Sequence, residues 1–503
     1  MGTLIAAETQ RGRVTSALIV SAAALFAASV ILLGIAMALG MPAVAGGPMW
    51  SLAAKPSPDA VAVLLGIGLF AGAGAVSLGV AAVNNGWRPS AALLVGASAI
   101  VVALYLFLPP SWGDTDVLNY AIYGRIAALG HNPYLMTPAQ LARTRDPVGR
   151  LGPHAWRDWP TVYGPVATAL QWVAAELGGA SMAWIVFWIK VSNAIAFVLT
   201  SLGLVRLTAR IPAMQARVCI LWAVNPLMLF WLVGNGHIDV LLALAAVLAL
   251  IVIQAQRGNG ALAGLVTGLI VGAGTAIKTP FALVALAIAW AARRSPAVLA
   301  AGLAGAAVVI IPGYLAPGVL DGAVLSRRLT WDQGFLHLPA AISSRPLVYG
   351  CLILLAMAVL AVLLLWRLPQ GGHQSLPFVR PAVALVLAWL VIFPTAGPWY
   401  DALIFPLLAL MLPSWLDYLV IAQCLALSEM ALPSAPTHSL YQLERLIGIA
   451  SHVAVLLVPI VLAAMCVRDA WGVRWDDASG PGHWQPATDH GGGRHRAHRL
   501  PAR

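Results

Sequence analysis

The chain has 503 residues, of which 60% are hydrophobic and only 9% are charged. Soluble domains carry about 25% charged residues, so this composition, with a mean hydropathy of +0.86, excludes an ordinary soluble protein. The formal net charge of +11 fits loop arginines that follow the positive-inside rule plus a basic tail, and without a nucleic-acid-binding motif we expect no nucleic-acid partner. The four cysteines form no CxxC pair, so neither a disulfide framework nor a zinc site is indicated.

Long apolar segments recur along the whole chain, and a run of about 18 such residues is long enough to cross a ~30 Å hydrocarbon core as a helix. We therefore predict an all-α, polytopic transmembrane bundle with 12–14 hydrophobic segments, about a dozen of them true spans. The first segment is too long for a signal-peptide core and is interpreted as a retained span. The segments fall near 15–40, 59–83, 91–108, 181–205, 216–234, 238–254, 261–276, 280–292, 297–315, 347–366, 380–395, 399–413, 416–432 and 446–467.

The short loops with arginine fall consistently on one side of these segments, which the positive-inside rule makes cytoplasmic. We expect a cytoplasmic N-terminus at 1–14, a single membrane domain over 15–470, and a disordered basic cytoplasmic tail at 474–503. Two long loops, 109–164 and 316–346, lie on the opposite side. The protein is therefore predicted to be a multi-pass cell-membrane protein whose site is assembled on the extracytoplasmic side.

The first long outer loop contains a helical pattern from Thr115 to Gly130, with Asp114 or Thr115 as its cap and Gly130 at its end. Such a helix would lie in the membrane interface with its apolar side down. The apolar stripe consists of Leu118, Ile122, Ile126 and Leu129. The opposite face carries Asp116, Asn119, Tyr120 and Tyr123.

A second stripe, which begins at Pro165 and ends at Gly178, predicts another amphipathic juxtamembrane helix. Its apolar positions are Val166, Leu170, Val173 and Leu177. The two helices bracket a loop with Asn132-Pro133-Tyr134, three arginines and the segment Trp-Arg-Asp-Trp. A membrane edge that two surface helices cover in this way can bind a lipid head group together with a polar acceptor.

Polar side chains at the outer ends of later segments raise a choice between structure and function. His237 and Asp239 are costly at a membrane edge unless they are paired or face a cavity, although Asn235 or Asp239 can also act as a helix cap. Lys278, one of three lysines, either extends to the interface or binds an anionic ligand. Pro280 follows it and favours a broken helix that lines a cavity.

Aromatic residues mark two further outer segments. Trp331, Asp332 and Gln333 combine an indole with polar groups, which suits a sugar, since a pyranose face stacks on an aromatic ring while its hydroxyls need hydrogen bonds. An interfacial tryptophan belt is the structural alternative. Trp399 and Tyr400 offer the same choice.

In this order, these motifs resemble the polyprenol-phosphate-mannose-dependent mannosyltransferases, and most closely the actinobacterial α-(1→6)-mannosyltransferases of lipomannan and lipoarabinomannan assembly. These mannosyltransferases belong to the GT-C class of integral-membrane glycosyltransferases. The resemblance covers roughly 110 to 410. It rests on DVLNYAIYGRIAALGHNPY, WRDWPTVYGP, NPLMLFWLVGNGHID, AIKTP, TWDQG and PWY.

The resemblance implies an extracytoplasmic site, a polyprenyl-phosphate-mannose donor and a mannose-containing lipoglycan acceptor. It also implies a general-base aspartate in the first outer loop, at the position of Asp116. Asp114 stands two residues earlier and is favoured as a cap, but the assignment between the two acids stays open. A single base with direct displacement inverts the anomeric centre, so a β-linked donor would give an α-mannoside, by resemblance a 1→6 linkage.

No cofactor is expected, and a divalent cation is possible but not indicated. Cations would stabilise the charge on the leaving phosphate. The candidates for that role are Lys278, His237, Arg327 and Arg328. The candidates for contact with sugar or acceptor are Tyr120, Tyr123, Arg125, Asn132, Tyr134, Tyr163, Asn235, Asp239, Trp331, Asp332, Gln333, Trp399 and Tyr400.

Two other functions remain open on the sequence alone. One is a GT-C enzyme that uses another polyprenyl-phosphate sugar. The other is a non-enzymatic translocase of lipid-linked sugars, which would need polar residues spread through its mid-membrane helices. The polar residues of this chain cluster at the outer edge, which favours an enzyme.

The chain also has two spans ahead of the one that leads into the first outer loop, where simpler members of the family have one.

Overall fold

The structure is a computed structural model, and most of the chain that it describes is helical. The described residues are 2–52, 57–112, 115–154, 156–255, 260–315, 346–368, 376–393, 397–432, 441–468, 473–474 and 485–486. Within these ranges the only strands are Val473–Arg474 and Gln485–Pro486, which pair antiparallel. The predicted all-α bundle is therefore confirmed. The second outer loop lies outside the described residues, as does the predicted tail apart from the strand residues.

The helices follow the predicted apolar segments closely. They are α1 (Gly2–Ala38), α2 (Pro58–Asn84), α3 (Ala91–Leu106), α4 (Asp116–Ala128), α5 (Pro138–Arg143), α6 (Pro165–Gly178), α7 (Met182–Leu207), α8 (Pro212–Val218), α9 (Pro226–Met228), α10 (Val240–Ala255), α11 (Gly260–Ile277), α12 (Ala282–Ala292), α13 (Pro296–Tyr314), α14 (Pro346–Arg367), α15 (Val379–Ile392), α16 (Ile404–Ala409), α17 (Trp415–Met430) and α18 (Tyr441–Arg468). Short 3₁₀ turns occupy Pro42–Val44, Gly149–Leu151, Thr279–Phe281 and Pro398–Ala402.

Among the described residues, eight helical stretches are long and apolar enough to cross a membrane. They are Gln10–Ala38, Pro58–Asn84, Met182–Leu207, Pro212–Gly234, Gly260–Ile277, Pro296–Tyr314, Gly350–Arg367 and Arg445–Cys466. Four shorter apolar helices, Ala91–Leu106, Val240–Ala255, Thr279–Ala292 and Val379–Ile392, accompany them. The chain is a membrane protein with a polytopic helical bundle, and the side on which each loop lies stays a prediction.

The apolar run 399–413 does not form the predicted span. It forms the 3₁₀ turn Pro398–Ala402 and then α16, which has only six residues. Six helical residues rise about 9 Å, far less than a ~30 Å hydrocarbon core. Pro406 inside α16 contributes no backbone N–H, so a longer helix is disfavoured. The segment is buried within the bundle, which explains its apolar composition.

The stretch Pro212–Gly234 lies at the centre of the bundle and is interrupted twice. Helix α8 continues into a π-helical turn, Cys219–Ala223, and α9 continues into a second, Leu229–Gly234. Between them, the Asn225 side chain accepts hydrogen bonds from the backbone N–H groups of Leu227 and Met228 and so caps α9. Turns of this kind are frequent at functional sites, and the second one leads directly into the loop that carries His237.

The two N-terminal helices, α1 and α2, are integral parts of the bundle. Ser29 of α1 donates a hydrogen bond to the Gly68 carbonyl of α2 at 2.7 Å. Tyr105 of α3 donates to the Val30 carbonyl of α1 at 3.1 Å. The sulfur of Met37 lies 3.1 Å from where a Cβ would stand on Gly234. Helix α1 therefore packs directly behind the π-helical turn that presents the candidate site.

Helix α4 begins and ends where the sequence predicts, but its predicted open polar face is wrong. Its end is a Schellman motif, in which Gly130 at φ +78° donates to the Ala127 carbonyl and His131 donates to the Ile126 carbonyl. Thr115 occupies the N-cap without a side-chain bond. The polar-face residues Asn119, Tyr120 and Tyr123 are buried as fully as the apolar stripe up to Ile126.

Helix α6 explains that burial. A Cβ on Gly124 would stand 2.1 Å from the Gln171 carbonyl oxygen, so the backbones of α4 and α6 are in direct contact there. The predicted apolar stripe of α6 faces the other way, since Leu170, Val173 and Leu177 are all exposed. Its small residues Ala167, Ala174 and Ala175 are buried instead. Helix α4 is therefore enclosed, and α6 presents its large apolar side chains outwards.

Candidate active site

Five separate segments bring polar and aromatic side chains to one place, which we call the site cluster. Helix α4 contributes side chains from its first two turns. The others come from the segment before α6, the loop before α10, the break between α11 and α12, and the 3₁₀ turn at 398–402. Its members are Asp116, Tyr120, Tyr163, His237, Asp239, Lys278, Trp399 and Tyr400. All eight were predicted as site residues from the sequence.

Asp116 is the partly open carboxylate of the cluster. It stands in the first turn of α4, and its side chain is 24% exposed. One carboxylate oxygen lies 4.0 Å from Nδ1 of His237. The positive end of the helix dipole favours the charged form of a carboxylate in this turn. Asp114, its rival in the sequence, lies outside the described residues.

His237 is completely buried among aromatic rings. Its imidazole stacks on the Trp399 indole, with ring centroids 3.9 Å apart and planes inclined by 9°. Trp231 approaches at 5.9 Å and 63°. The hydroxyl of Tyr120 lies 3.4 Å from Nδ1, on the side that also faces Asp116. The ring is therefore held in one orientation, with Nδ1 towards the carboxylate.

Lys278 and Asp239 form a buried ion pair. The ammonium of Lys278 lies 2.9 and 3.0 Å from the two carboxylate oxygens of Asp239. Asp239 is fully buried, whereas the Lys278 side chain is 11% exposed. Both carboxylate oxygens of Asp239 are thus engaged by the lysine. Contact of Asp239 with a sugar stays a prediction, and the structure places it as the partner of Lys278.

Aromatic rings surround the Lys278 ammonium. It lies 3.9 Å from the centroid of Tyr400 and 5.8 Å from that of Tyr163, within the range of cation–π attraction. Gly164 donates its backbone N–H to the Ile277 carbonyl at 3.1 Å, which fixes Tyr163 beside the lysine. Burial alone would lower the pKa of Lys278, but the Asp239 carboxylate raises it above the ordinary value. The lysine is therefore charged at neutral pH.

The phenols of Tyr120 and Tyr163 stay protonated. Their rings pack edge to face, with centroids 5.1 Å apart. Burial raises the pKa of Tyr120, and the neighbouring Tyr163 and Asp116 raise it further. Burial and the Asp116 charge likewise raise the pKa of Tyr163. Both side chains can therefore act as hydrogen-bond donors beside Asp116.

Arg125, Asn132 and Tyr134 were also predicted as contact residues, and they lie near or beyond the C-terminal end of α4. Arg125 donates two hydrogen bonds to one oxygen of Asp146, at 2.9 and 3.0 Å. The Asn132 side chain accepts from the Tyr134 backbone N–H at 2.9 Å. The Tyr134 hydroxyl lies 2.9 Å from the Thr168 hydroxyl. These contacts order the loop.

A shallow groove of about 280 Å³ lies at this far end and has a mostly apolar lining. Asn132, Tyr134 and Trp172 are among the residues that line it. Tyr123 lies one turn of α4 closer to Asp116 than the groove residue Ala127 does, and it donates a hydrogen bond from its hydroxyl to the Trp159 carbonyl at 3.1 Å. Five further predicted residues fall outside the described part of the chain, namely Arg327, Arg328, Trp331, Asp332 and Gln333.

Several residues of the site's surroundings were missed by the sequence reasoning. Trp231 packs on both His237 and Trp399, with centroids 5.9 and 5.7 Å away. Lys190 and Asn193 of α7 are fully buried behind the site. The sequence did contain a signal for Lys190 and Asn193, which lie three residues apart inside an apolar span. Such polar residues are energetically costly in a membrane span unless they have a role.

Metal binding finds no support in the geometry of the described residues. No group of three His, Cys, Asp or Glu side chains is placed to hold an ion in that part of the chain. Independence of metal stays a prediction.

Comparison with known families places the site cluster in context. A family model described as "Alpha-(1->6)-mannopyranosyltransferase, N-terminal domain" matches residues 12–294, more than half of the chain. That stretch includes Asp116, His237, Asp239 and Lys278, and it ends before Trp399 and Tyr400. Neither a search of curated proteins nor a search of solved structures finds a match.

Proposed function

The chain belongs to the α-(1→6)-mannopyranosyltransferase family, and we propose that this membrane mannosyltransferase takes its sugar from polyprenyl-phosphate-mannose. The acceptor is a mannose-containing lipoglycan, and transfer takes place on the extracytoplasmic side of the cell membrane. The family's activity sets aside the non-enzymatic translocase that the sequence alone left open. The donor, the acceptor and the side of the membrane are the proposed parts.

Asp116 acts as the general base, and its partial exposure is the observation that carries this assignment. The other carboxylate of the site cluster, Asp239, is fully buried and holds Lys278 through both oxygens. A base must lie within hydrogen-bond reach of the acceptor hydroxyl, and Asp116 has the access that such an approach requires. Asp114 remains the second candidate.

In the proposed reaction, the acceptor hydroxyl gives its proton to Asp116 as its oxygen attacks the anomeric carbon of mannose. The bond from that carbon to the phosphate oxygen breaks, and the electron pair leaves with the polyprenyl phosphate. Direct displacement inverts the anomeric centre, so a β-linked donor yields the α-mannoside that the family name requires.

Charge on the leaving phosphate is stabilised at the other side of the site cluster. Lys278 is charged and is held by Asp239, its ammonium lies beside Tyr400 and Tyr163, and its side chain is 11% exposed. His237 can add a further donor, because its ring is fixed next to Asp116 and Tyr120. Fixed donors in a site that excludes water stabilise developing charge far better than mobile ones in solution.

The helix dipole makes Asp116 a weak base, and the proposed reaction tolerates this. The first turn of α4 favours the charged carboxylate, so its affinity for a proton is low. If cleavage of the bond to phosphate runs ahead of attack, the acceptor oxygen becomes acidic only late in the step. A weak but well-placed base is then sufficient.

The proposed donor and base are tested together in membranes that contain the protein. Wild type and Asp116→Asn are incubated with a mannoside acceptor and radiolabelled polyprenyl-phosphate-mannose, with the corresponding glucose and arabinose donors in parallel. Asp158→Asn is the matched control, because Asp158 is an exposed carboxylate of the same loop.

We expect wild type and Asp158→Asn to transfer only mannose, and Asp116→Asn to lose transfer while its expression stays normal. Equal transfer from another donor would favour a GT-C enzyme of different sugar specificity. Full activity of Asp116→Asn would remove Asp116 from the mechanism.

A further inference from the structure

Two segments that carry opposite sides of the site cluster are joined by buried polar side chains. The approach segment, residues 105–112, leads from α3 towards Asp116. The His237 loop, residues 232–239, carries His237 and Asp239. Neither segment has regular secondary structure at the point where the two meet, so their relative position depends on side-chain contacts.

Asn235 connects the two segments directly. Its side-chain oxygen accepts one hydrogen bond from the Ser111 backbone N–H and another from the Ser111 hydroxyl, both at 2.8 Å. Asn235 and Ser111 are both buried. Asn235 lies two residues before His237, and Ser111 lies five residues before Asp116. The amide therefore joins the chain next to the base to the chain next to the imidazole.

Helix α7 contacts the same two segments from behind. Lys190 donates hydrogen bonds to the carbonyls of Tyr105, at 2.7 Å, and Leu108, both in or beside the approach segment. Asn193 donates to the carbonyls of Leu232 and His237 at 3.0 and 2.9 Å, in the His237 loop. Positions three apart lie on one face of a helix. One face of α7 thus contacts both segments.

Gly236 shows how closely the segments fit. It adopts φ +80°, and a Cβ there would stand 2.9 Å from Cγ2 of Val117 and 3.3 Å from Cγ of Lys190. Val117 is the neighbour of Asp116 in α4. The His237 loop therefore packs against the first turn of α4 and against Lys190 at once, with no space for a side chain between them.

We propose that Asn235, together with Lys190 and Asn193, is a positioning residue that fixes the distance between the Asp116 carboxylate and the His237 ring. The inference rests on the proposed roles of Asp116 and His237. It gives Asn235 a role other than the predicted contact with sugar, which stays a prediction, because its side-chain oxygen accepts both bonds from Ser111. Directional polar contacts suit this role, since apolar packing alone specifies position less strictly.

The test compares two serine variants that each lose one buried hydroxyl hydrogen bond. Ser111→Ala removes one of the two bonds to Asn235 and keeps the backbone bond. Ser29→Ala removes the 2.7 Å bond between α1 and α2, outside the site cluster. Asn235→Ala removes both bonds to Ser111. Steady-state kcat and both KM values are measured on purified protein, together with the unfolding temperature.

We expect similar losses of unfolding temperature in the two serine variants. Only Ser111→Ala should lose kcat, by several-fold, with its KM values unchanged. Asn235→Ala should lose kcat on the order of 10²-fold, as a displacement of about 1 Å in a reacting group can cause. If Asn235→Ala does not fold, the comparison of the serine variants still decides.

Two results would overturn the inference. The first is an equal kcat for Ser111→Ala and Ser29→Ala. The second is a raised acceptor KM at constant kcat in the Asn235 or Ser111 variants, which would make Asn235 a substrate contact. Failure of the proposed function is distinguishable from both, because it appears as full activity in Asp116→Asn whatever the serine variants do.

Discussion

At the N-terminal end of α4, Asp116 and Tyr120 lie beside His237, and Tyr120 also packs on Tyr163, whereas Arg125 near its C-terminal end and Tyr134 beyond it are bonded to the loop and to α6. The two ends look equally polar in the sequence. What separates them is where their partners come from. At the N-terminal end, His237 lies more than a hundred residues away along the chain, while the partners of Arg125 and Tyr134 lie within 34 residues. Convergence of distant segments therefore distinguishes the end that we propose to be catalytic.

This comparison predicts that breaking the Lys278–Asp239 pair has the largest effect. Lys278→Met keeps the length of the side chain but leaves the Asp239 carboxylate buried without its cation. Loss of one partner of a buried pair costs about 3–5 kcal/mol of unfolding free energy. We expect a large fall in unfolding temperature in detergent and loss of mannosyl transfer.

The double variant Lys278→Met/Asp239→Asn separates the two effects. It removes both charges, so stability should recover substantially while transfer stays lost. Recovery of transfer in the double variant would show that the pair only stabilises the fold.

Trp399 offers an intermediate perturbation at the same end. Trp399→Ala removes the ring that stacks on His237, an interaction worth about 0.5–1.5 kcal/mol beyond burial. If that energy orients the imidazole for the transition state, the transfer rate falls about tenfold. Trp399→Phe retains part of the stack and should lie between Ala and wild type. Equal rates for all three proteins would remove the stack from the mechanism.

The smallest effect is expected at the C-terminal end of α4. Tyr134→Phe removes the hydroxyl contact with Thr168, a hydrogen bond worth about 0.5–1.5 kcal/mol. The unfolding temperature should fall slightly, and kcat and the acceptor KM should not change. A raised acceptor KM would show that the groove beside Tyr134 binds the acceptor, and the contrast between the two ends would then fail.

Much of the site cluster could be predicted from the sequence, because each member is a polar or aromatic residue at the end of an apolar run. His237 and Lys278 could be recognised from the energetic cost of placing such side chains at a membrane edge, which is high unless they have partners. Their actual partners could not be predicted. Nothing local indicates that Asp239 meets Lys278 or that Asn235 meets Ser111, because these contacts depend on how the helices pack.

The fold shows the same limit. Periodicity correctly located α4 and its end at Gly130, but it assigned Tyr120 and Tyr123 to an open face, and contact with α6 through Gly124 buries them. Hydrophobicity also placed a span at 399–413, since an apolar segment buried by protein has the same composition as one that crosses lipid. Local patterns predict elements, and tertiary packing decides what covers them.

The most direct test of the contrast compares Asp116, in the first turn of α4, with Asp146, the loop carboxylate that binds Arg125 near the other end of the helix. Asp116→Asn alters the N-terminal end, and Asp146→Asn removes the carboxylate that binds Arg125 and accepts the backbone N–H groups of Val148 and Gly149. The single-turnover rate of mannosyl transfer and the unfolding temperature are measured for both.

We predict opposite outcomes. Asp116→Asn should lose about 10²–10⁴-fold in rate, as expected for a general base, with little change in unfolding temperature. Asp146→Asn should keep its rate and lose stability of about 1.5–3 kcal/mol, as expected for hydrogen bonds to a charged group. A wild-type rate in Asp116→Asn, or an equal loss of rate in Asp146→Asn, would contradict the claim that the N-terminal end of α4 carries the chemistry.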